Sequence, residues 1–197
     1  SSKIKKFLVA VVAVSTFFFI LSFDFSSGGD LKYGVSFSRF HADELGLDWK
    51  ETYLAIQNDL GVKNFRFSAH WPLTEPEKDK YNFTELDFQM AEAKKSGASV
   101  ILAVGRRLPG WPECHVPDWA AKLSSEERAD ELLELITVIV NRYKDYSNII
   151  YWQVENEPFL TGFSRSACGS LNKEFLQKEI IKDCLTHLKD DDIVFIG

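Results

Sequence analysis

An α/β fold built on a parallel sheet is what this sequence predicts, from three observations. Short β-branched or aromatic runs alternate with longer amphipathic segments. The loops that leave the predicted strands are long, and the turns that enter them are short. The chain has 197 residues, 45% hydrophobic and 26% charged, the balance of a globular protein with length enough for a core.

The elements follow in order. Tyr33 to Phe37 reads as a first strand. Asp48 to Glu51 has capping-box spacing and opens a helix through Leu60, which Gly61 stops. Val62 to Ser68 is the second strand, and a loop with Pro72 and Pro76 follows it. The next helix starts near Thr84 and ends at Gly97, with Lys94 and Lys95 favourably placed in its last turn. Ser99 to Val104 is strand three, followed by a loop with Pro109, Pro112 and Pro117. Ser124 to Glu127 again has capping-box spacing and begins a helix through Tyr143. Ile149 to Val154 is strand four, a glycine-rich loop from Phe159 to Gly169 leads to a helix over 172–189, and Ile193 to Ile196 begins strand five. In sheets of this kind chemistry gathers at the carboxyl ends of the strands, which is where the long loops lie.

Composition excludes several functions. A net charge of -6 and a pI near 5.3, with no concentrated basic patch, argue against a nucleic-acid partner. No glycine-rich phosphate loop follows any strand, and no metal-ligand cluster is present, so neither cofactor nor metal is expected. Aromatic residues make up 14% of the chain. Most of them fill the core, and those left in a groove suit stacking on sugar rings.

The first 29 residues read differently. Lys3, Lys5 and Lys6 precede an uncharged run from Phe7 to Phe23, a positive flank and apolar core typical of an export signal. The run is at the short edge of a membrane span, and no clear cleavage site follows. Residues 1–29 are therefore expected to be a signal peptide or a membrane anchor through 7–23 with a short linker, and either sends residues 30–197 out of the cytoplasm. A buried core helix fits the lysines on one flank less well. Cys114, Cys168 and Cys184 match no zinc or redox spacing. One disulfide with one free thiol suits an exported protein, and spacing does not choose the pair.

Strand four ends in Asn156-Glu157-Pro158, which resembles the Asn-Glu-Pro signature of the retaining glycoside hydrolases of clan A. Other segments resemble the same clan in the same order: Arg66, the block His70 to Pro76 with Tyr81-Asn82-Phe83 and Leu86-Asp87, then Arg106-Arg107, Trp111-Pro112-Glu113 and Pro117-Asp118-Trp119. The resemblance covers 33–197. It implies a (β/α)8 barrel truncated to about the first four βα units plus the fifth strand, acting on β-linked sugars of an oligo- or polysaccharide by double displacement.

Within that resemblance Glu157 is the acid/base at the mouth of strand four. Asn156 would hold the sugar hydroxyl beside the scissile bond, and strand alternation is taken to point the set Trp152, Val154 and Asn156 inward. Glu155 is read as structural. Arg66 lies in an otherwise apolar strand, where a guanidinium needs a carboxylate partner, and the resemblance makes that partner the nucleophile. A salt bridge without catalytic duty is the other reading of Arg66. His70, Trp71, Arg106 and Trp111 are substrate-binding candidates, with loop packing the other reading of Trp71. His115 is a loop histidine unless it faces the cleft. The resemblance puts the nucleophile on strand seven, beyond Gly197, so the chain is expected to be the N-terminal half of a longer enzyme. The rival is a membrane-tethered half-barrel that binds carbohydrate, or serves a structural role, without catalysis.

Overall fold

The computed structural model describes residues 32–110 and 114–157 and the backbone of Val194–Phe195. Contacts divide the chain after Lys32, and the sheet with its helices belongs to the part from Tyr33. Five strands, β1 (Val35–Phe37), β2 (Asn64–Ser68), β3 (Ser99–Val104), β4 (Ile149–Val154) and β5 (Val194–Phe195), lie side by side in chain order, all parallel. Sequential order with helical crossovers is the pattern of a barrel wall. The predicted loop 159–169 and helix 172–189 lie outside the described residues, as does the segment 7–23. Among the described residues no helix is long and apolar enough to cross a membrane.

Three long helices cover one face of the sheet: α2 (Trp49–Asn58), α4 (Thr84–Ser96) and α6 (Ser125–Tyr143). Each begins and ends for a local reason. Asp48 accepts from the Glu51 N–H at 2.8 Å and caps α2. Asn82 accepts from the Thr84 N–H at 3.1 Å before α4, and Gly97, at φ 70, closes that helix in the left-handed conformation that glycine adopts without penalty. At α6 both halves of a capping box form between Ser124 and Glu127. Three short helices escaped the sequence reading: α1 (Arg39–Glu44), α3 (Trp71–Thr74) and α5 (Asp118–Ala121). All sit in strand-to-helix loops and are too short to show a hydrophobic period.

The core lies between sheet and helices. Phe65 and Phe67 of β2, Val100, Leu102 and Val104 of β3, and Trp152 and Val154 of β4 are buried against Tyr53, Met90, Leu135, Ile139 and Tyr143 of the helices. Tyr53 is central, its ring 5.3 Å from Phe65 and 5.7 Å from Phe67, while its hydroxyl donates to Gln57 at 2.8 Å. Asp87 joins α4 to α6 by accepting from the Tyr143 hydroxyl at 2.7 Å and from Arg142 Nε at 2.9 Å.

The opposite face carries two cross-strand rows, Ser36-Arg66-Ile101-Tyr151 and Ser68-Ala103-Gln153. In a closed barrel this face is the interior. Between Val100 and Ile101 the register with β4 shifts, leaving Ile150 as an extra residue.

Removing the Ser124 hydroxyl tests how the longest helix is anchored. Ser124→Ala should lower unfolding stability by about 1 kcal/mol in a urea titration, with the slope of the transition unchanged.

Candidate active site

The inward and outward sets of β4 are the reverse of the sequence expectation. Trp152 and Val154 belong to the helix-side core, and Gln153 shares the interior face with Arg66. A strand packed on both sides is apolar on both, so alternation does not mark its inner face. Asn156 nevertheless reaches the interior, because the backbone stops alternating after Val154.

That break is a strained turn. Glu155 (φ 57) and Glu157 (φ 49) both sit in the left-handed region, which costs a residue other than glycine about 1 to 3 kcal/mol. Hydrogen bonds to the end of β3 hold it: the Glu155 N–H donates to the Val104 carbonyl at 2.9 Å and the Asn156 N–H to the Arg107 carbonyl at 2.7 Å. The Glu155 carboxylate is fully buried and accepts the backbone N–H groups of Arg106 at 3.1 Å and Arg107 at 2.8 Å. Gly105 (φ 136) leaves it room, since a Cβ there would lie 2.8 Å from Glu155 Cδ. Burial raises the Glu155 carboxyl above its ordinary range, and the Arg106 charge and the two amides offset part of that rise. Glu155 therefore anchors the turn, through contacts that strand alternation did not reveal.

Glu157 stands in contrast. Its side chain is 51% exposed, and Arg107 Nη2 lies 3.8 Å from its Oε2. Arg107 Nη1 also donates to the Glu157 backbone carbonyl at 2.9 Å. On the interior face Arg66 donates to Ser36 Oγ at 2.8 Å and to Gln153 Oε1 at 3.3 Å. The Gln153 amide then donates to Asn156 Oδ1 at 3.1 Å and to the Glu155 carbonyl at 3.2 Å. Among the described residues no carboxylate pairs with Arg66, and burial lowers the pKa of its guanidinium. Two residues that were not among the sequence candidates make the links: Gln153 joins Arg66 to Asn156, and Arg107 joins the loop after β3 to Glu157. Gln153 did carry a signal, being polar within an apolar strand just as Arg66 is.

The remaining described candidates are buried. Trp71 is fully buried, donates to Glu75 at 2.8 Å and meets Trp119 edge-on at 5.7 Å. Arg106 is 7% exposed, and its charge offsets that of buried Glu155. His70, 2% exposed, is wedged edge-on between Phe40 at 4.8 Å and His115 at 4.5 Å. His115 is a loop histidine, buried, and in turn stacks on Phe40 at 4.7 Å. Trp111 lies outside the described residues. Cys114 is disulfide-bonded, and Cys168 and Cys184 also lie outside them.

Burial, with the nearby charges of His115 and His41, pushes His70 down to about 3, and burial and His41 push His115 down to about 4, from an ordinary value of 6.5. Both rings are thus held neutral by the fold. Their contribution is full above pH 6.5 and is lost as the pH falls toward 4 and then 3. The thermal midpoint should decline below pH 6.5, and His115→Phe, which preserves the stack on Phe40, should flatten that decline. Trp71→Ala should cost about 3 to 5 kcal/mol of stability in denaturant titrations.

Known proteins share this architecture. A glycoside hydrolase family 42 model, described as beta-galactosidase, matches residues 47–131. Beta-galactosidase LacZ of Lactobacillus acidophilus is 26% identical over 105 residues, covering 44% of this chain and 16% of the relative. Among solved structures, GH5_18 from Streptomyces cattleya in complex with GlcNAc superposes with a TM-score of 0.61 at 16% identity over 80% of this chain and 41% of that one. Native xylanase 10B from Thermotoga maritima gives 0.58 at 17% identity, over 83% of this chain and 48% of that one. The chain spans under half the length of each of these relatives. Five parallel strands in sequential order with helices on one face, together with these likenesses, show the chain to carry the wall of a (β/α)8 barrel of the kind found in these glycoside hydrolases.

Proposed function

We propose that this chain supplies the acid/base half of a retaining glycosidase acting on β-linked oligo- or polysaccharides. The observation that carries the reading is the mouth of β4, where a strained turn presents a half-exposed Glu157 beside Arg107 and next to an Asn156 tied through Gln153 to Arg66. Glu157 donates a proton to the glycosidic oxygen as the bond to the anomeric carbon breaks. A second carboxylate, on a later strand and about 5 to 5.5 Å from the first, attacks that carbon to form the glycosyl-enzyme. Glu157 then removes a proton from water, which displaces the enzyme carboxylate with net retention. Arg66, held by Ser36 and Gln153 on the interior face, is available to pair with that second carboxylate, the role expected of an interior guanidinium.

Export belongs to the same proposal. The basic flank and apolar run before Asp24 and a disulfide at Cys114 both suit an oxidising compartment outside the cytoplasm.

The acid/base role is tested with Glu157→Gln in the longer protein that carries this chain, using phenyl and 2,4-dinitrophenyl β-glycosides. Loss of the acid should slow the phenyl substrate by about 100- to 10,000-fold and barely slow glycosylation by the activated one. Equal losses on both would remove Glu157 from the role. Binding of sugar with no turnover by the parent protein would favour a carbohydrate-binding module instead.

A further inference from the structure

We propose that Arg107 is a positioning residue for the acid/base, set in place by the buried Glu155. The inference rests on Glu157 holding the acid/base role, and it extends that role to a residue that the motif resemblance leaves without a function.

The geometry runs outward from the core. Glu155 grips the two consecutive amides of Arg106 and Arg107 with its two oxygens, and the Arg107 carbonyl takes the Asn156 N–H in return. The backbone of residue 107 is therefore bonded on both sides to the turn that carries Glu157. The loop beyond it doubles back: Arg107 forms an antiparallel bridge with Cys114, the His115 N–H donates to the Arg106 carbonyl at 2.8 Å, and Cys114 is tied by its disulfide. From this fixed base the Arg107 side chain, only 10% exposed, returns to Glu157. One guanidinium nitrogen binds the Glu157 carbonyl at 2.9 Å and another lies 3.8 Å from the carboxylate. The first contact satisfies the carbonyl of a residue at φ 49. The second sets a cation beside the half-exposed carboxylate. Both contacts are to Glu157 itself, so the effect of Arg107 passes through Glu157.

A lysine cannot reproduce this, because the planar fork spans carbonyl and carboxylate together and an ammonium is a single point. Glu155→Gln would turn an amide N–H toward a backbone N–H and loosen the same assembly from its other end.

The experiment uses the longer protein with Arg107→Gln, Arg107→Lys and Glu155→Gln, each first checked for a native melting transition, on the phenyl and dinitrophenyl glycosides. Arg107→Gln should lower kcat/KM for phenyl glycoside by roughly 10- to 100-fold, with KM near that of the parent and the dinitrophenyl rate within about threefold. Arg107→Lys should show the same split at smaller amplitude, and added guanidinium should restore part of the phenyl rate in Arg107→Gln. Should Arg107→Gln fail to fold, Arg107→Lys and Glu155→Gln carry the same comparison. A folded variant that loses both rates equally, or neither, overturns the positioning role while leaving Glu157 in place. A Glu157→Gln control without leaving-group dependence overturns both readings together.

Discussion

The carboxylate of Glu155 is the constraint on which the candidate site depends. It is removed from water, which is costly for a charge, and its two oxygens are given to two successive backbone amides and to the field of Arg106. The result is a joint between the ends of β3 and β4 that needs no helix and no ligand. It stabilises two left-handed residues in a row of three and so turns the chain out of the sheet at the point where Glu157 must face solvent. A buried ion of this kind contributes little net stability against an apolar substitute. What it provides is direction, because an apolar side chain at 155 would leave two amides without acceptors.

Around that joint the sheet divides its labour by face. Helix-facing positions form one continuous aromatic and aliphatic core, while the interior rows hold Ser36, Arg66, Ser68 and Gln153 among small or aliphatic neighbours. Polar atoms on the interior bond to each other in a line from Ser36 through Arg66 and Gln153 to Asn156. Each hydrogen bond is worth only about 1 kcal/mol, yet together they fix the amide of Asn156 relative to β2, two strands away in the sheet. The rim above β1 to β3 is fixed differently, by the interlocked rings of Phe40, His70 and His115.

Much of this was legible in the sequence. The alternating segments gave the five strands and the three long helices close to their observed limits, because caps at Asp48 and Ser124 and the stop at Gly97 act locally. The resemblance singled out Glu157, Asn156 and Arg66, and Arg66 and Asn156 are linked through Gln153. What could not be read were features that depend on packing. The inner face of β4 was mistaken because Trp152 and Gln153 are both buried, and the phase that separates them is set by the neighbouring strand. The partners of Trp71 and Arg106, Glu75 and Glu155, were not legible either, because both contacts form only on burial. Gln153 and Arg107 act through residues 87 and 50 positions away in the chain, a separation that local pattern does not encode.

The extra residue at Ile150 has a further consequence. Below it Val100 faces Ile149, and above it Ile101 faces Tyr151, so the two ends of β4 are out of step by one position. Such a slip lets the lower and upper parts of β4 each pair with β3 while the faces they present differ in phase, so the position of Gln153 on the interior is set by the pairing above Ile150 and not by the turn that precedes Ile149.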